Sequence, residues 1–376
     1  MQNIICAANP LKEVLPAGEC LNALMAGASR SNPGAAQGFL ISDGGDGFLD
    51  AIAHCMDLEK IEVQCTAPLG EVITAPLLLD RSRSIAYIES ASCCGLRLVE
   101  PSRRNIMISG TAGLGDLLAA ARDAGIAKTF IGLGGSATCD GGVGLIWRLA
   151  CLAGQFQADP CEPRNAIDLA ESAVPDLEQI SHWLGNMQLI ACVDVDNPLT
   201  GPHGAARVYA AQKGASPEEV DQLEAWISRW CERIERFTQR SLGPVPGAGA
   251  AGGLGFALLA LGGEIVPGAD MVADIVGVSA AIKPGAHVIS NEGSFDETSF
   301  SGKAPWAIAR RATQAGATAS IFAAIVDPDA KQKAESLGVN ICEFGTGLSL
   351  EERRHRAAEL LEHAVATHLG SGGAFG

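Results

Sequence analysis

Three observations in the sequence predict an α/β protein of two domains. At 376 residues, 47% apolar and 19% charged, the chain can bury two hydrophobic cores and has a globular balance. Both ends follow a β-α rhythm. One end reads as strand 3–7, a helix, strand 38–41 and a helix; the other as helix 304–315, strand 320–326, helix 328–337, strand 339–344 and helix 350–368. Between them the rhythm changes near Ile61, where the β segments IEVQCTAPLG and VITAPLLLD begin, and it returns near Ala286. Each end alone has too few strands to bury both faces of a parallel sheet, so the two are expected to share one.

Charge narrows the partners. A formal charge of −16 argues against nucleic acid and anionic membrane, which need a basic field. An anionic ligand must then be held locally, by loop amides, a few lysines and a metal ion. The twelve cysteines form no C-x-x-C pair and follow no basic-then-apolar leader, which reads as reduced thiols in a cytoplasm. Cys93-Cys94 reads as small buried residues ahead of a redox or metal pair. Residues 241–263 carry no charge, but their eight glycines and two prolines suit a buried loop and helix rather than a membrane span.

The stretch with the most chemistry is IGLGGSATCDGGVG at 131–144, an apolar strand entering six glycines. Gly132, Gly134 and Gly135 permit positive φ and close backbone approach, while Ser136 and Thr138 add hydroxyl donors. A helix from about Gly142 would aim its positive end at an anion there; a tight turn that binds nothing is the alternative.

Several other segments carry candidates. Lys12 follows the first strand and can reach a ligand at the sheet's carboxyl edge or merely be solvated. SDGGDG at 42–47 places Asp43 at a strand tip, as a ligand group or an Asx turn. Arg103 and Arg104 can clamp an anion, with a surface salt bridge expected for at least one. A strand over 187–195 would point Asp194 and Asp196 the same way, fit for Mg²⁺ or a general base, or for turn formation before Asn197-Pro198. Gln212-Lys213-Gly214 is a polar loop, and Ser216-Pro217-Glu218-Glu219 opens a long helix with a capping box, its Trp226 and Trp230 expected in the core. PGAGAAGGLG at 246–255 lets backbone touch another segment or a ligand. Glu292, Asp296 and Lys303 gather opposite charges in one loop, suited to phosphoryl chemistry or to internal ion pairs. Ser349 and Glu352 cap a last helix with Leu350, Ala357, Leu361, Ala364 and Val365 inward.

SDGGDG, IESASCCGL, IGLGGSATCDGG, DVDNPLTGPHGAARVYAAQKGA, PGAGAAGGLG and the EG-x-x-D…GKAP segment, in this order, resemble the bacterial glycerate kinase family over residues 4–325. The resemblance implies ATP- and Mg²⁺-dependent phosphorylation of D-glycerate, in the branch yielding the 2-phosphate. It also implies a flavodoxin-like parallel-sheet domain from both chain ends (1–62 and 285–376) with a second α/β domain (63–284) inserted. On this footing Asp194, Asp43, Lys303 and Lys12 are candidate catalytic groups. Gly134, Gly135, Ser136, Thr138, Gly249, Gly252 and Gly253 are candidates for ATP, Arg104, Lys213 and Glu292 for the substrate, and Asp194 and Asp296 for the metal. The chain departs from the family pattern at NPLKEVL, where Glu13 replaces part of a serine- and glycine-containing segment. Cys139 replaces asparagine, Ala210-Ala211 a Gly-Pro, Asn291 a glycine and Thr298 a glutamine. A paralogue that binds nucleotide or another hydroxy acid with little turnover is the alternative function.

Overall fold

The computed structural model describes residues 3–11, 14–31, 34, 36–156, 165–170 and 173–370. Their strands, in chain order, are β1 (Ile4–Ala8), β2 (Ala36–Leu40), β3 (Glu59–Thr66), β4 (Val72–Asp80), β5 (Ile85–Glu89), β6 (Lys128–Gly132), β7 (Gln188–Val193), β8 (Glu264–Pro267), β9 (His287–Phe295), β10 (Thr318–Val326) and β11 (Val339–Glu343). The chain divides into two compact units. One comprises Met1–Asp43, Asp50–Asp57 and Pro267–Gly376; the other comprises Gly44–Leu49 and Leu58–Val266.

In the first unit both chain ends contribute to one five-stranded sheet, ordered β11-β10-β9-β1-β2 and parallel throughout. Counted within the unit this is the 2-1-3-4-5 order of doubly wound flavodoxin-like sheets, whose strand order reverses between β1 and β9. Apolar composition drives the arrangement: β1 is IICAA, buried at every position, as a central parallel strand covered on both faces must be. Helices Ala17–Ser31 and Ala357–Gly370 pack on each other, and Gly27 is what permits it, because a Cβ there would lie 2.6 Å from the Glu362 carbonyl oxygen. The last helix buries Ala357, Leu361 and Val365, and Ser349 and Glu352 form the expected capping box before it. One polar cluster in this core is layered: His287 Nδ1 meets Thr318 Oγ1 at 2.7 Å, and His368 meets Ser320 Oγ at 3.0 Å and Cys342 Sγ at 3.5 Å.

The second unit holds a six-stranded mixed sheet ordered β3-β4-β5-β6-β7-β8, with β3, β4 and β5 antiparallel and β5, β6 and β7 parallel. The long helix Pro217–Thr238 begins with the expected capping box, Ser216 and Glu219 each bonding the other's backbone. Its Trp230 is fully buried and donates its indole N–H to the Gly141 carbonyl at 3.2 Å. Two expectations are corrected. β7 ends at Val193, so the alternation that would align Asp194 with Asp196 stops before either residue. Among the described residues ten cysteines are free, but Cys151 is disulfide-bonded, against the expectation of reduced thiols throughout. Cys93 and Cys94 are free, buried and 3.6 Å apart, as small core residues. Within 241–263 the chain forms turns and the helix Ala250–Ala260, and no helix among the described residues is long and apolar enough to cross a membrane.

Candidate functional site

In the first unit all five strands are parallel, so their carboxyl ends share one edge. Asn9 follows β1, Asp43 follows β2 and Asp296 follows β9, which puts Asp43 and the 292–303 segment on the same edge, either side of β1. Lys12 and Glu13 lie outside the described residues. Glu292 sits in β9, 4% exposed. Its Oε1 accepts from Lys303 Nζ at 2.5 Å and Ser299 Oγ at 3.1 Å, while its Oε2 is buried without a hydrogen-bond partner. Burial raises its pKa above the ordinary carboxylate value, opposed by Lys303 and Ser299. The three charged residues of this motif therefore do come together.

Asp296 caps a local turn. Its Oδ1 accepts the Thr298 N–H at 2.9 Å and the Thr298 hydroxyl at 2.5 Å, capping the turn Glu297–Phe300. The Thr298 hydroxyl, ahead of the Lys303 charge, holds its pKa below the usual carboxylate range. A metal would have to compete with these donors.

In the second unit the glycine motifs interlock. A Cβ on Gly132 would lie 2.4 Å from the Gly44 carbonyl oxygen, one on Gly134 2.6 Å from the Gly45 Cα, and one on Gly135 2.6 Å from Asp46 Oδ1. The first glycine loop is thus bare because the SDGGDG segment lies against it. The second loop closes the other side: Gly141 N–H donates to Gly252 O at 3.0 Å, and a Cβ on Gly252 would sit 2.0 Å from the Thr138 carbonyl oxygen. Three successive residues, Ala251, Gly252 and Gly253, adopt positive φ of 51°, 72° and 102° to make that approach. Gly249 donates to the Asn197 carbonyl, which draws in the segment following β7.

Asp140 corrects the expectation that the helix end waits for a ligand. The helix Val143–Leu152 begins after Gly142, and the fully buried Asp140 carboxylate accepts from the Gly142 and Gly144 N–H groups and from the Thr111 N–H, each at 3.1 Å, and from the Thr111 hydroxyl at 2.7 Å. The anion at the positive helix end is the protein's own. Burial raises the Asp140 pKa against the pull of those four donors.

Lys213, a candidate for the substrate, is 5% exposed and donates to Ser136 Oγ at 2.9 Å and the Thr138 carbonyl at 2.8 Å, clamping the first glycine loop from within. Burial lowers its pKa. Arg103 pairs with Glu71 on the surface, as expected of one of the two arginines, while Arg104 keeps a buried Nε without a partner. Two hydroxyls, Thr138 Oγ1 and Ser90 Oγ, are fully buried without partners, which in a native structure points to a ligand or a bound water. Asp194 follows the end of β7 and its charge helps raise the Tyr209 pKa, second to burial.

The sequence reading missed Glu89. It ends β5, is 4% exposed, accepts from the Leu49 N–H at 3.3 Å through Oε2 and pairs with Arg97 through Oε1 at 3.3 Å, so it holds SDGGDG's following helix turn in place. The glutamate that ends the apolar run IAYI, opening IESAS's polar stretch, was the available signal. Among the described residues no cluster of three or more His, Cys, Asp or Glu is placed to hold a metal.

Fold and site define an α/β protein whose polar loops gather at the carboxyl ends of parallel strands, where such folds hold small-molecule ligands. The profile of the Glycerate kinase family matches residues 4–369, and the chain belongs to that family. It is similar to the glycerate kinase of Bacillus subtilis (36% identity over 311 residues, 82% of this chain and 81% of that one) and to the glycerate 2-kinase of Escherichia coli K12 (33% over 314 residues, 81% of each). A crystal structure assigned to glycerate kinase 2 of Salmonella typhimurium LT2 superposes with a TM-score of 0.79 at 29% identity, covering 99% of this chain and 98% of that one. The protein is therefore a small-molecule kinase of this family.

Proposed function

We propose that the protein transfers the γ-phosphoryl group of ATP to a hydroxyl of D-glycerate, giving the 2-phosphate. The family match over nearly the whole chain carries this reading, and the retained motif residues support it. Phosphoryl transfer asks for positioning and charge neutralisation more than covalent chemistry. In this reading the buried hydroxyls of Thr138 and Ser90 and the glycine loops serve the nucleotide, Lys303 and Lys12 neutralise anionic oxygens, and Glu292 receives a hydroxyl of the acid at its unpartnered oxygen. Asp194 or Asp43 accepts the proton. Arg104 remains a substrate candidate, whereas Lys213 acts through the loop it clamps.

Mg²⁺ enters the reading with the nucleotide. Such an ion is held mainly by phosphate oxygens and water with one or two protein carboxylates, for which Asp194 and Asp296 are the candidates, the latter with an Oδ1 that already accepts two bonds. When bound it would neutralise charge developing on the transferring group. The cytoplasm is the proposed compartment.

A coupled ADP-release assay across D-glycerate, tartronate and related hydroxy acids, with and without Mg²⁺, tests the reading, with phosphorus NMR assigning the product. Turnover that requires both D-glycerate and Mg²⁺ is expected. ATP binding without turnover of any hydroxy acid would replace it with the paralogue reading.

A further inference from the structure

β1 and β9 run side by side only as far as Ala7 and Ser290. Beyond that point β9 continues to Phe295 paired with β10, and β1 ends on β2 at Ala8. The strands part where the strand order reverses, which leaves backbone groups on both without a ladder partner. Two side chains fill the gap. Ser290 Oγ donates to the Ala7 carbonyl at 2.6 Å. Asn291, fully buried, does more: its Oδ1 accepts the Asn9 N–H at 3.2 Å and its Nδ2 donates to the Asn9 carbonyl at 2.7 Å.

We propose that Asn291 is a positioning residue, whose amide replaces the missing ladder and fixes the chain leaving β1 relative to Glu292 for binding of the phosphate acceptor. A primary amide presents one donor and one acceptor side by side, the same pair an extended neighbouring strand would offer. Its sequence neighbour Glu292 carries the buried, unpartnered Oε2, so the tie lies one residue from the group assigned to the acceptor. The far side of the tied segment is also closed, because Leu11 and Leu15 exchange backbone bonds at 2.9 Å and Leu15 O accepts the Cys20 thiol. Asn9 is therefore held at a junction rather than at a loose end. The inference rests on the kinase reading for its choice of ligand, but the tie itself does not.

The test uses Asn291→Ala and Asn291→Gly in the full chain. Loss of two buried bonds should speed hydrogen exchange at the Asn9 amide by about tenfold or more, with β10 amides unchanged, since one hydrogen bond is worth roughly a factor of ten. The KM for D-glycerate should rise by about the same factor, while the KM for ATP stays within about twofold and kcat is largely kept. Unchanged Asn9 exchange in both variants would overturn the proposal. So would an equal rise in both KM values, or failure of both variants to melt cooperatively, either of which makes Asn291 a general folding element. A wild type that turns over no hydroxy acid would sink the kinase reading instead, leaving the Asn9 exchange to judge the tie.

Discussion

Asp140→Asn separates a ligand role from a structural role in the glycine loop. The carboxylate accepts one bond at Oδ1, from Gly142, and three at Oδ2, from Thr111 twice and Gly144. An asparagine best places its NH₂ toward Gly142, keeping three acceptor bonds and turning the fourth into a donor–donor clash. Loss of a charge-assisted bond costs about 1.5–3 kcal/mol, and removing the negative charge from the helix start costs about 0.3–1 kcal/mol more. Burial of the charged carboxylate works the other way, and the asparagine is relieved of it. The net expectation is a destabilisation of roughly 1–3 kcal/mol, or about 3–10 °C in melting temperature for a unit of this size. Urea titration of wild type and variant, followed by fluorescence of the unit's tryptophans, measures it. An unchanged midpoint would refute the capping argument, and lost activity at unchanged stability would assign Asp140 to ligand chemistry.

Gly252→Ala should destabilise by more than about 2 kcal/mol, because a Cβ there meets a carbonyl oxygen at 2.0 Å and φ is +72°; a soluble variant with wild-type melting would refute the interlocked loops. Stability should also fall in acid through His287, whose pKa burial lowers from 6.5 to about 4. The unfolded chain takes up this proton first, so the stabilisation is complete above pH 6.5 and is lost as pH falls toward 4, by roughly 3 kcal/mol at most. A pH series of urea midpoints on wild type and His287→Phe checks it, the variant being expected to show the shallower slope. Asp194→Asn should lower kcat by about 10²-fold or more with the melting temperature kept, if Asp194 takes the proton or holds the metal; near-normal kcat would leave it a turn former.

Much of the fold was legible because periodicity and capping chemistry are local. The IICAA run, the Ser216 and Ser349 boxes and the switch of rhythm near Ile61 each carry their own evidence, and the elements fall within a few residues of expectation. The site was less legible for a physical reason. Glycine is required wherever a backbone must be approached closely, whether the visitor is a phosphate or another stretch of chain. GLGG reads as a ligand loop or a tight turn and SDGGDG as a strand tip bearing a ligand group or an Asx turn, yet in the second unit GLGG and residues 44–46, some ninety residues apart, are each other's neighbours. Lys213 and the helix start near Gly142 were illegible for a similar reason, since a lone sequence cannot say that a lysine in a polar loop points inward or that a helix start already has its anion. The end of β7 was overextended because Val195 continues the apolar alternation, whereas β7 ends at Val193 and the segment after it bonds through the Asn197 carbonyl to Gly249.

The departures from the family pattern bear on whether the site works, and the side chains themselves argue on this point. Cys139 is fully buried and its thiol is pushed up to about 12 by burial, so it is an inert core residue and no nucleophile. Ala210 is buried at the end of the short helix Ala205–Tyr209, where Ala210 N–H bonds back to Ala206 and Lys213 N–H in turn bonds to Ala210, so the alanines continue the backbone that delivers Lys213 to the loop. Thr298 supplies both its N–H and its hydroxyl to Asp296, and Asn291 adds two bonds where a glycine could add none. None of these four changes removes a charge from the set Asp43, Asp194, Glu292, Asp296 and Lys303. Each alters how a segment is held rather than what it presents. The expected signature of such a protein is acceptor affinity shifted by its altered supports, with the charged candidates for phosphoryl transfer all retained.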